Sequence, residues 1–168
     1  MRLIAHQAAR FDVDPTRIGA MGFSAGGHLC ANLAAQFTRA AYKPIDAADA
    51  LSARLCIAAP IYAAILADQF TSPGLFGANS TAEMLAQHIP SRHVPADAPP
   101  HWLLHVEGDS TVPVAKTPAL RQALVERKIP VQTHLIEKGG HGFASRFTKG
   151  TPLEGWPELF LAYAKTKN

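Results

Sequence analysis

The feature that most constrains this fold is an alternation of short apolar runs with stretches of helical periodicity. The apolar runs, at residues 17–23, 53–59, 101–106 and 131–136, have the length and composition of buried strands. Apolar residues recur at helical spacing after Ser24, after Pro118 and after Trp156. Strands that are separated by helices run parallel, because a right-handed crossover returns the chain to the same sheet. The sequence therefore predicts an α/β fold with a doubly wound, mostly parallel sheet and helices on both faces.

Two segments lie outside this alternation. Near the N-terminus, an apolar helix face that ends at residues 12–15 is predicted from Leu3, Ile4, Ala8 and Phe11. Residues 62–100 are predicted to be irregular because they are rich in proline and glycine, and long loops of this kind are often functional. This loop is either a lid-like cover over the substrate pocket or a plain structural connection, and its apolar side chains are Phe70, Leu75, Phe76 and Met84. Residues 1–168 are predicted to form a single domain.

Composition excludes several classes of protein. With 48% hydrophobic and 17% charged residues, the 168-residue chain has enough apolar surface for a folded core. It contains neither the ~18–20 consecutive apolar residues of a membrane span nor a secretory signal, so a cytoplasmic protein is predicted. Cys30 and Cys56 provide no disulfide framework, and no zinc spacing is present. The net charge of +3 comes from scattered lysines and arginines, so no nucleic-acid partner is predicted.

In open parallel sheets, ligands bind beyond the carboxyl ends of the strands. The first predicted strand runs into Gly22-Phe-Ser-Ala-Gly26, a G-x-S-x-G sequence between a strand and a helix. A tight turn of this kind raises Ser24 into the cleft, and glycines are expected at 22 and 26 because larger residues would clash there. The amide of Ala25, at a helix N-terminus, would face an oxygen that carries negative charge. The alternative interpretation is a glycine-rich turn with an incidental serine.

A serine needs a nearby base, which is usually a histidine oriented by a carboxylate. Asp109 follows the third predicted strand, and His141 follows the fourth among three glycines. Asp109 could instead cap a turn at residues 110–111, and His141 could lie on a flexible surface turn. Glu107 is the competing acid, but strand alternation directs it elsewhere. The chain order Ser24, Asp109, His141 nevertheless favours a nucleophile, an acid and a base that meet at one edge of the sheet.

Residues 14–29 resemble the nucleophile region of α/β-hydrolase esterases, of the branch that includes acetyl-xylan esterases and carbohydrate-ester deacetylases. Residues 99–113 resemble the acid segment of that branch, residues 138–143 its histidine segment, and residues 155–157 the start of its last helix. The resemblance implies an α/β-hydrolase fold, here an N-terminally shortened three-layer sandwich. It also implies Ser24 as nucleophile, Asp109 as acid, His141 as base and Ala25 as an oxyanion donor.

One departure from that family bears on activity. No His-Gly-Gly segment, which would give the second oxyanion amide, precedes Ser24. Loss of one such donor costs about 10²–10³-fold in rate. Without preceding strands, the nucleophile strand is expected at an exposed sheet edge, which predicts a homo-oligomer that pairs through this edge.

The predicted function is hydrolysis of carboxylic esters through an acyl-enzyme. The resemblance points to short acyl groups such as acetyl, carried by a small-molecule ester that includes acetylated carbohydrate. No cofactor and no metal are predicted. One alternative is a non-catalytic or weakly active fragment that acts as an assembly module, and another is a peptidase of the same fold. The other histidines are assigned structural roles: His28 at the helix start, His105 within its strand, and His88 and His93 in the long loop.

Overall fold

The computed structural model describes residues 1–65, 79 and 81–167. Four strands form one parallel sheet in the order β1-β2-β3-β4: β1 Ala20–Phe23, β2 Ala58–Ile61, β3 His101–Val106 and β4 Val131–Ile136. The helices are α1 Arg2–His6, α2 Ala25–Gln36, α3 Ala82–Gln87, α4 Lys116–Glu126 and α5 Trp156–Lys165. Short 3-10 turns lie at Ala8–Phe11, Ala47–Ala50 and Pro90–Arg92. The predicted parallel α/β architecture is confirmed.

Helices cover both faces of the sheet, and β3 shows why. All six residues of β3 are buried, and alternate side chains point to opposite faces. Trp102, Leu104 and Val106 pack with Trp156 and Tyr163 of α5. On the other face, Leu103 packs against α2 and α4 through Ala31, Leu120 and Leu124. The sheet is therefore the middle layer of three. Because all four strands are parallel, their carboxyl ends lie at the same edge of the sheet.

Strand β2 differs from its predicted bounds, because it begins at Ala58 and contains Pro60. Proline is rare in central strands because it donates no ladder hydrogen bond. On either side of Pro60, the N–H groups of Ala58 and Tyr62 donate to Pro100 O and Leu104 O of the β3 side. The ladder thus lacks one bond at Pro60 and continues past it, so the proline does not end the strand.

Two further boundaries differ from the predicted ones. Helix α4 starts at Lys116, so Pro118 falls in its first turn, where amides have no intrahelical acceptor. At the N-terminus, α1 and the following 3-10 turn bury only Ala8. Leu3, Ile4 and Phe11 are 55%, 41% and 51% exposed, so within the described residues the predicted apolar face is largely uncovered.

Part of the predicted loop at residues 62–100 contains regular structure, namely α3 and the 3-10 turn Pro90–Arg92. Its residues Phe70, Leu75 and Phe76 lie outside the described residues. Across the described ranges, every helix is too short or too polar to cross a membrane.

Candidate active site

Three strand ends bring Ser24, Asp109 and His141 together. Ser24 follows β1, Asp109 follows β3 and His141 follows β4. His141 Nε2 lies 2.8 Å from Ser24 Oγ, and His141 Nδ1 lies 2.7 Å from Asp109 Oδ2. The three side chains therefore form one continuous hydrogen-bonded set at the carboxyl edge of the sheet.

The backbone holds Ser24 in a strained turn between β1 and α2. Its φ of 51° and ψ of −117° lie outside the regions that residues with a Cβ prefer. Backbone hydrogen bonds fix this conformation: Ser24 N–H donates to Ile61 O of β2, and Ser24 O accepts from the amides of His28 in α2 and of Ala64 just after β2. The sharp turn thus depends on β2 as well as on the local sequence.

The glycines around Ser24 have unequal roles. A Cβ at Gly22 would lie 2.0 Å from Gly26 O, and a Cβ at Gly27 would lie 2.7 Å from Ala63 Cβ. A Cβ at Gly26 would meet no atom of the described residues within 4 Å. The predicted clash is present at Gly22. Among the described residues the prediction is wrong for Gly26, because Gly26 contributes its backbone oxygen to the close contact and its own Cβ position faces open space. The tight contact at Gly27 was not predicted, because its partner is 36 residues away in sequence.

The carboxylate of Asp109 performs both roles that the sequence left open. Its Oδ1 accepts hydrogen bonds of 2.8 Å from the amides of Thr111 and Val112, and its Oδ2 accepts from His141. Burial alone would raise the pKa of Asp109, but the Val112 amide, His141 and the Thr111 amide outweigh it and lower the pKa. Asp109 is therefore an anion that both caps its turn and faces His141, whereas Glu107 is exposed.

An ionised Asp109 accepts hydrogen bonds only, which assigns the proton on neutral His141 to Nδ1. The unprotonated Nε2 then accepts from the Ser24 hydroxyl. This is the tautomer that a general base needs.

Tyr62, at the carboxyl end of β2, packs against His141. The two rings meet edge to face with centroids 4.9 Å apart. Tyr62 has a φ of 34° and accepts a 3.3 Å hydrogen bond from the Ala144 amide through its hydroxyl. Trp156 Nε1 donates to Ala144 O at 2.8 Å, so the peptide groups of Ala144 are held from both sides. The sequence analysis missed Tyr62, although the rule that ligands bind at strand ends applies to it.

Ala25 is the first residue of α2, directly after Ser24. The first amides of a helix have no intrahelical acceptor, and the helix dipole favours negative charge there. The position of Ala25 is therefore suited to an oxyanion.

Three other histidines, at positions 28, 88 and 93, lie in structural contacts. His28 Nε2 is 2.8 Å from His88 O, His88 Nδ1 is 3.0 Å from Asn32 Nδ2, and His93 Nε2 is 2.9 Å from Ala86 O. The first two contacts attach the end of α3 to α2, and the third joins the following 3-10 turn to α3. Both cysteines are free thiols, and burial raises the pKa of Cys30 to about 12. In the described ranges, no group of three His, Cys, Asp or Glu side chains could hold a metal ion.

Comparison with known proteins assigns the chain to a family. The sequence profile of the prolyl oligopeptidase family matches residues 1–154. The chain belongs to the prolyl oligopeptidase family. The chain is also similar to endo-1,4-β-xylanase B of Butyrivibrio fibrisolvens, with 32% identity over 146 residues that cover 84% of this chain and 23% of the xylanase.

Solved structures similar to this prolyl oligopeptidase family member include esterases. An acetyl ester-xyloside bifunctional hydrolase from Caldicellulosiruptor lactoaceticus superposes with a TM-score of 0.90 at 27% identity, covering 98% of this chain and 62% of that one. A carboxylesterase from Lactobacillus plantarum superposes with a TM-score of 0.76 at 22% identity, covering 99% and 64%. The chain thus spans less than two thirds of these proteins. The predicted α/β-hydrolase fold and the predicted likeness to ester hydrolases are confirmed.

Proposed function

We propose that this protein is a serine hydrolase of carboxylic esters, in which Ser24 is the nucleophile, His141 the base and Asp109 the orienting acid. The observation that carries the proposal is the hydrogen-bonded set in which His141 contacts Ser24 at 2.8 Å and Asp109 at 2.7 Å. Both distances lie within the reach that proton transfer needs. Residues 1–168 would act as a single α/β-hydrolase domain, without a metal or an organic cofactor.

In the acylation step, Ser24 Oγ attacks the ester carbonyl carbon while its proton passes to His141 Nε2. Asp109 stabilises the imidazolium that forms. The tetrahedral intermediate then collapses: the bond to the alcohol oxygen breaks, His141 returns the proton to that oxygen, and the acyl group remains on Ser24. A water molecule repeats the sequence, with His141 again as base, and releases the carboxylic acid and the free serine.

The Ala25 amide is proposed to donate to the oxyanion of each tetrahedral intermediate. Its place in the first turn of α2 supports this role, because the donor and the helix dipole act together there.

The proposed substrate is a short acyl ester, acetyl above all, on a small alcohol or a carbohydrate. Support comes from the similarity to an acetyl ester-xyloside hydrolase and to a xylanase. A panel of acetylated xylose and of nitrophenyl esters with acyl chains of increasing length tests this choice. Highest kcat/KM for acetyl is expected, and a preference for long chains would refute it.

Labelling by a fluorophosphonate probe tests the nucleophile. The wild type is expected to be labelled and Ser24→Ala is not, while nitrophenyl acetate hydrolysis should depend on Ser24 in the same way. Ser110→Ala, which replaces an exposed serine beside the acid, is the matched control. Equal labelling of wild type and Ser24→Ala would reject the assignment.

A second candidate function, an assembly module with weak or no catalysis, is favoured by the open edge of the described sheet at β1. In the described sheet, β1 pairs only with β2, and Met21 of β1 is 38% exposed. We propose that two copies associate through this edge. Sedimentation at micromolar concentration tests the proposal: a dimer that Met21→Pro dissociates supports it, and a monomer rejects it. Ser24-dependent turnover would exclude the non-catalytic alternative.

A further inference from the structure

A second histidine lies behind Asp109. His105, on β3, is fully buried, and its Nε2 is 3.4 Å from Asp109 Oδ2 and 3.1 Å from Val112 O. Its Nδ1 is 2.7 Å from Thr117 Oγ1 on α4. Asp109 Oδ2 therefore lies between two imidazoles, that of His141 on the solvent side and that of His105 on the core side.

The partners of His105 determine where its proton lies. Both groups near Nε2, the Val112 carbonyl and the Asp109 carboxylate, accept hydrogen bonds only, so Nε2 carries the proton. Nδ1 of the neutral ring is then an acceptor, and the Thr117 hydroxyl donates to it. Burial lowers the pKa of His105 despite the neighbouring Asp109, so the neutral ring is the form present at neutral pH.

We infer that His105 is a positioning residue for the proposed reaction: its Nε2–H donates to Val112 O in the turn that holds Asp109, and it lies 3.4 Å from Asp109 Oδ2 on the core side. The inference rests on the proposed function, since it concerns how the acid holds His141. With His105 in place, Asp109 accepts hydrogen bonds from two amides and from His141, and the polar Nε2–H of His105 lies 3.4 Å from its Oδ2. Each donor withdraws part of the negative charge that would otherwise stabilise the His141 imidazolium.

Loss of the His105 donor has a definite consequence. The charge of Asp109 is then less neutralised, so it attracts the protonated imidazole of His141 more strongly. The other titratable group that faces Asp109 is Tyr62, from β2; burial chiefly, and Asp109 in addition, raise the pKa of its phenol, which therefore stays neutral. Near neutral pH, the charge that His141 faces is therefore that of Asp109, and its strength depends on the N–H groups that surround this carboxylate.

A purely structural role for His105 makes a different prediction. In that case His105 would only join β3 to Val112 and to α4, and its replacement would lower stability without changing the titration of His141. His101 provides the matched control. It is a buried histidine on the same strand, four positions before His105 and therefore on the same face of the sheet. Its Nδ1 contacts Pro99 O rather than Asp109.

The experiment compares His105→Leu, His105→Gln, Thr117→Val and His101→Leu in the 168-residue chain. The titration of His141 is followed by NMR of labelled imidazoles, and the acidic midpoint of kcat/KM is followed with nitrophenyl acetate. For His105→Leu we expect both midpoints to rise by about 0.5–1 pH unit and kcat/KM to fall about tenfold. His105→Gln, which keeps a donor near Nε2, should restore most of the rate. Thr117→Val should give a smaller shift in the same direction, and His101→Leu none.

Unchanged midpoints in His105→Leu, with a loss of stability equal to that of His101→Leu, would overturn the inference. If His105→Leu does not fold, Thr117→Val decides: a folded Thr117→Val with an unchanged acidic midpoint of kcat/KM would overturn the inference. A wild type without Ser24-dependent hydrolysis would reject the proposed function alone, because the NMR titration of His141 still decides the role of His105.

Discussion

The closest backbone approach at the site lies between β1 and α2, and it makes Gly22→Ala the sharpest test of the geometry. The new Cβ would lie 2.0 Å from Gly26 O, 2.4 Å from Gly26 C and 2.8 Å from Gly27 N. Contacts of a Cβ below 3.0 Å are essentially unknown, so the strand and the helix start must separate by at least about 1 Å. All three contacts are to backbone, so no side-chain rotation relieves them.

This separation acts directly on Ser24, which lies between the two elements. A displacement of about 1 Å away from His141 would lengthen the 2.8 Å contact beyond hydrogen-bond reach. A misplacement of this size costs about 10²-fold in rate, and overpacking costs about 1–3 kcal/mol of stability. We therefore expect Gly22→Ala to lose about 10²-fold in kcat/KM and to unfold at lower urea concentration.

The assay is hydrolysis of nitrophenyl acetate, with circular dichroism to establish that the variant is folded. Gly26→Ala is the matched control, because its Cβ meets no atom of the described residues within 4 Å. It should keep the wild-type rate and gain slightly in stability, since an alanine loses less backbone entropy on folding than a glycine does. A folded Gly22→Ala with wild-type kcat/KM would refute the reasoning, and so would equal losses in both variants.

Further predictions concern the acid, the strained serine and the ring beside the base. Asp109→Asn is expected to lower kcat about 10⁴-fold in the same ester assay, because an amide favours the wrong tautomer of His141. Since folding lowers the pKa of Asp109, its carboxylate stabilises the fold above its unfolded pKa of about 3.9, and this stabilisation is lost as the pH falls through the lower folded value. Urea midpoints of wild type and Asp109→Asn should therefore converge as the pH drops below about 4, and a constant gap would contradict this. Ser24→Gly should be more stable than Ser24→Ala by about 1 kcal/mol, because only glycine adopts a φ of 51° without strain; equal urea midpoints would argue against that strain. Tyr62→Phe removes the acceptor for the Ala144 amide and should lower kcat/KM about fivefold, whereas an unchanged value would show that the ring alone positions His141.

The sequence was sufficient to predict the parts of the molecule that depend on local pattern. Parallel strands were predicted from apolar runs separated by helices, and Ser24, Asp109 and His141 were placed at one edge because each follows a strand. The predicted end of β2 before Pro60 was wrong. The strand continues past the proline because Ala58 and Tyr62, on either side of it, donate hydrogen bonds to the neighbouring strand. That compensation depends on tertiary structure, which periodicity does not report.

The supporting contacts of the site were not predictable for the same reason. Tyr62 and His141 are 79 positions apart, and Gly27 meets Ala63 only after the sheet has formed. His105 was expected to have a structural role within its strand, whereas its contacts to Val112 and Thr117 and its approach to Asp109 depend on the path of the loop after β3. Residue type and spacing therefore indicate which groups carry chemistry, while their neighbours follow from packing.

The contact between Ser24 and His141 joins residues 117 positions apart. It closes the longest loop of the site, and loop closure over such a distance is entropically late in folding. A chain that is still emerging from the ribosome with Ser24 exposed has no base to activate it, and a partly unfolded chain loses that base early. Reactivity toward an electrophile is thus a property of the completed fold, so the rate of probe labelling during refolding should report the last step of assembly rather than the first.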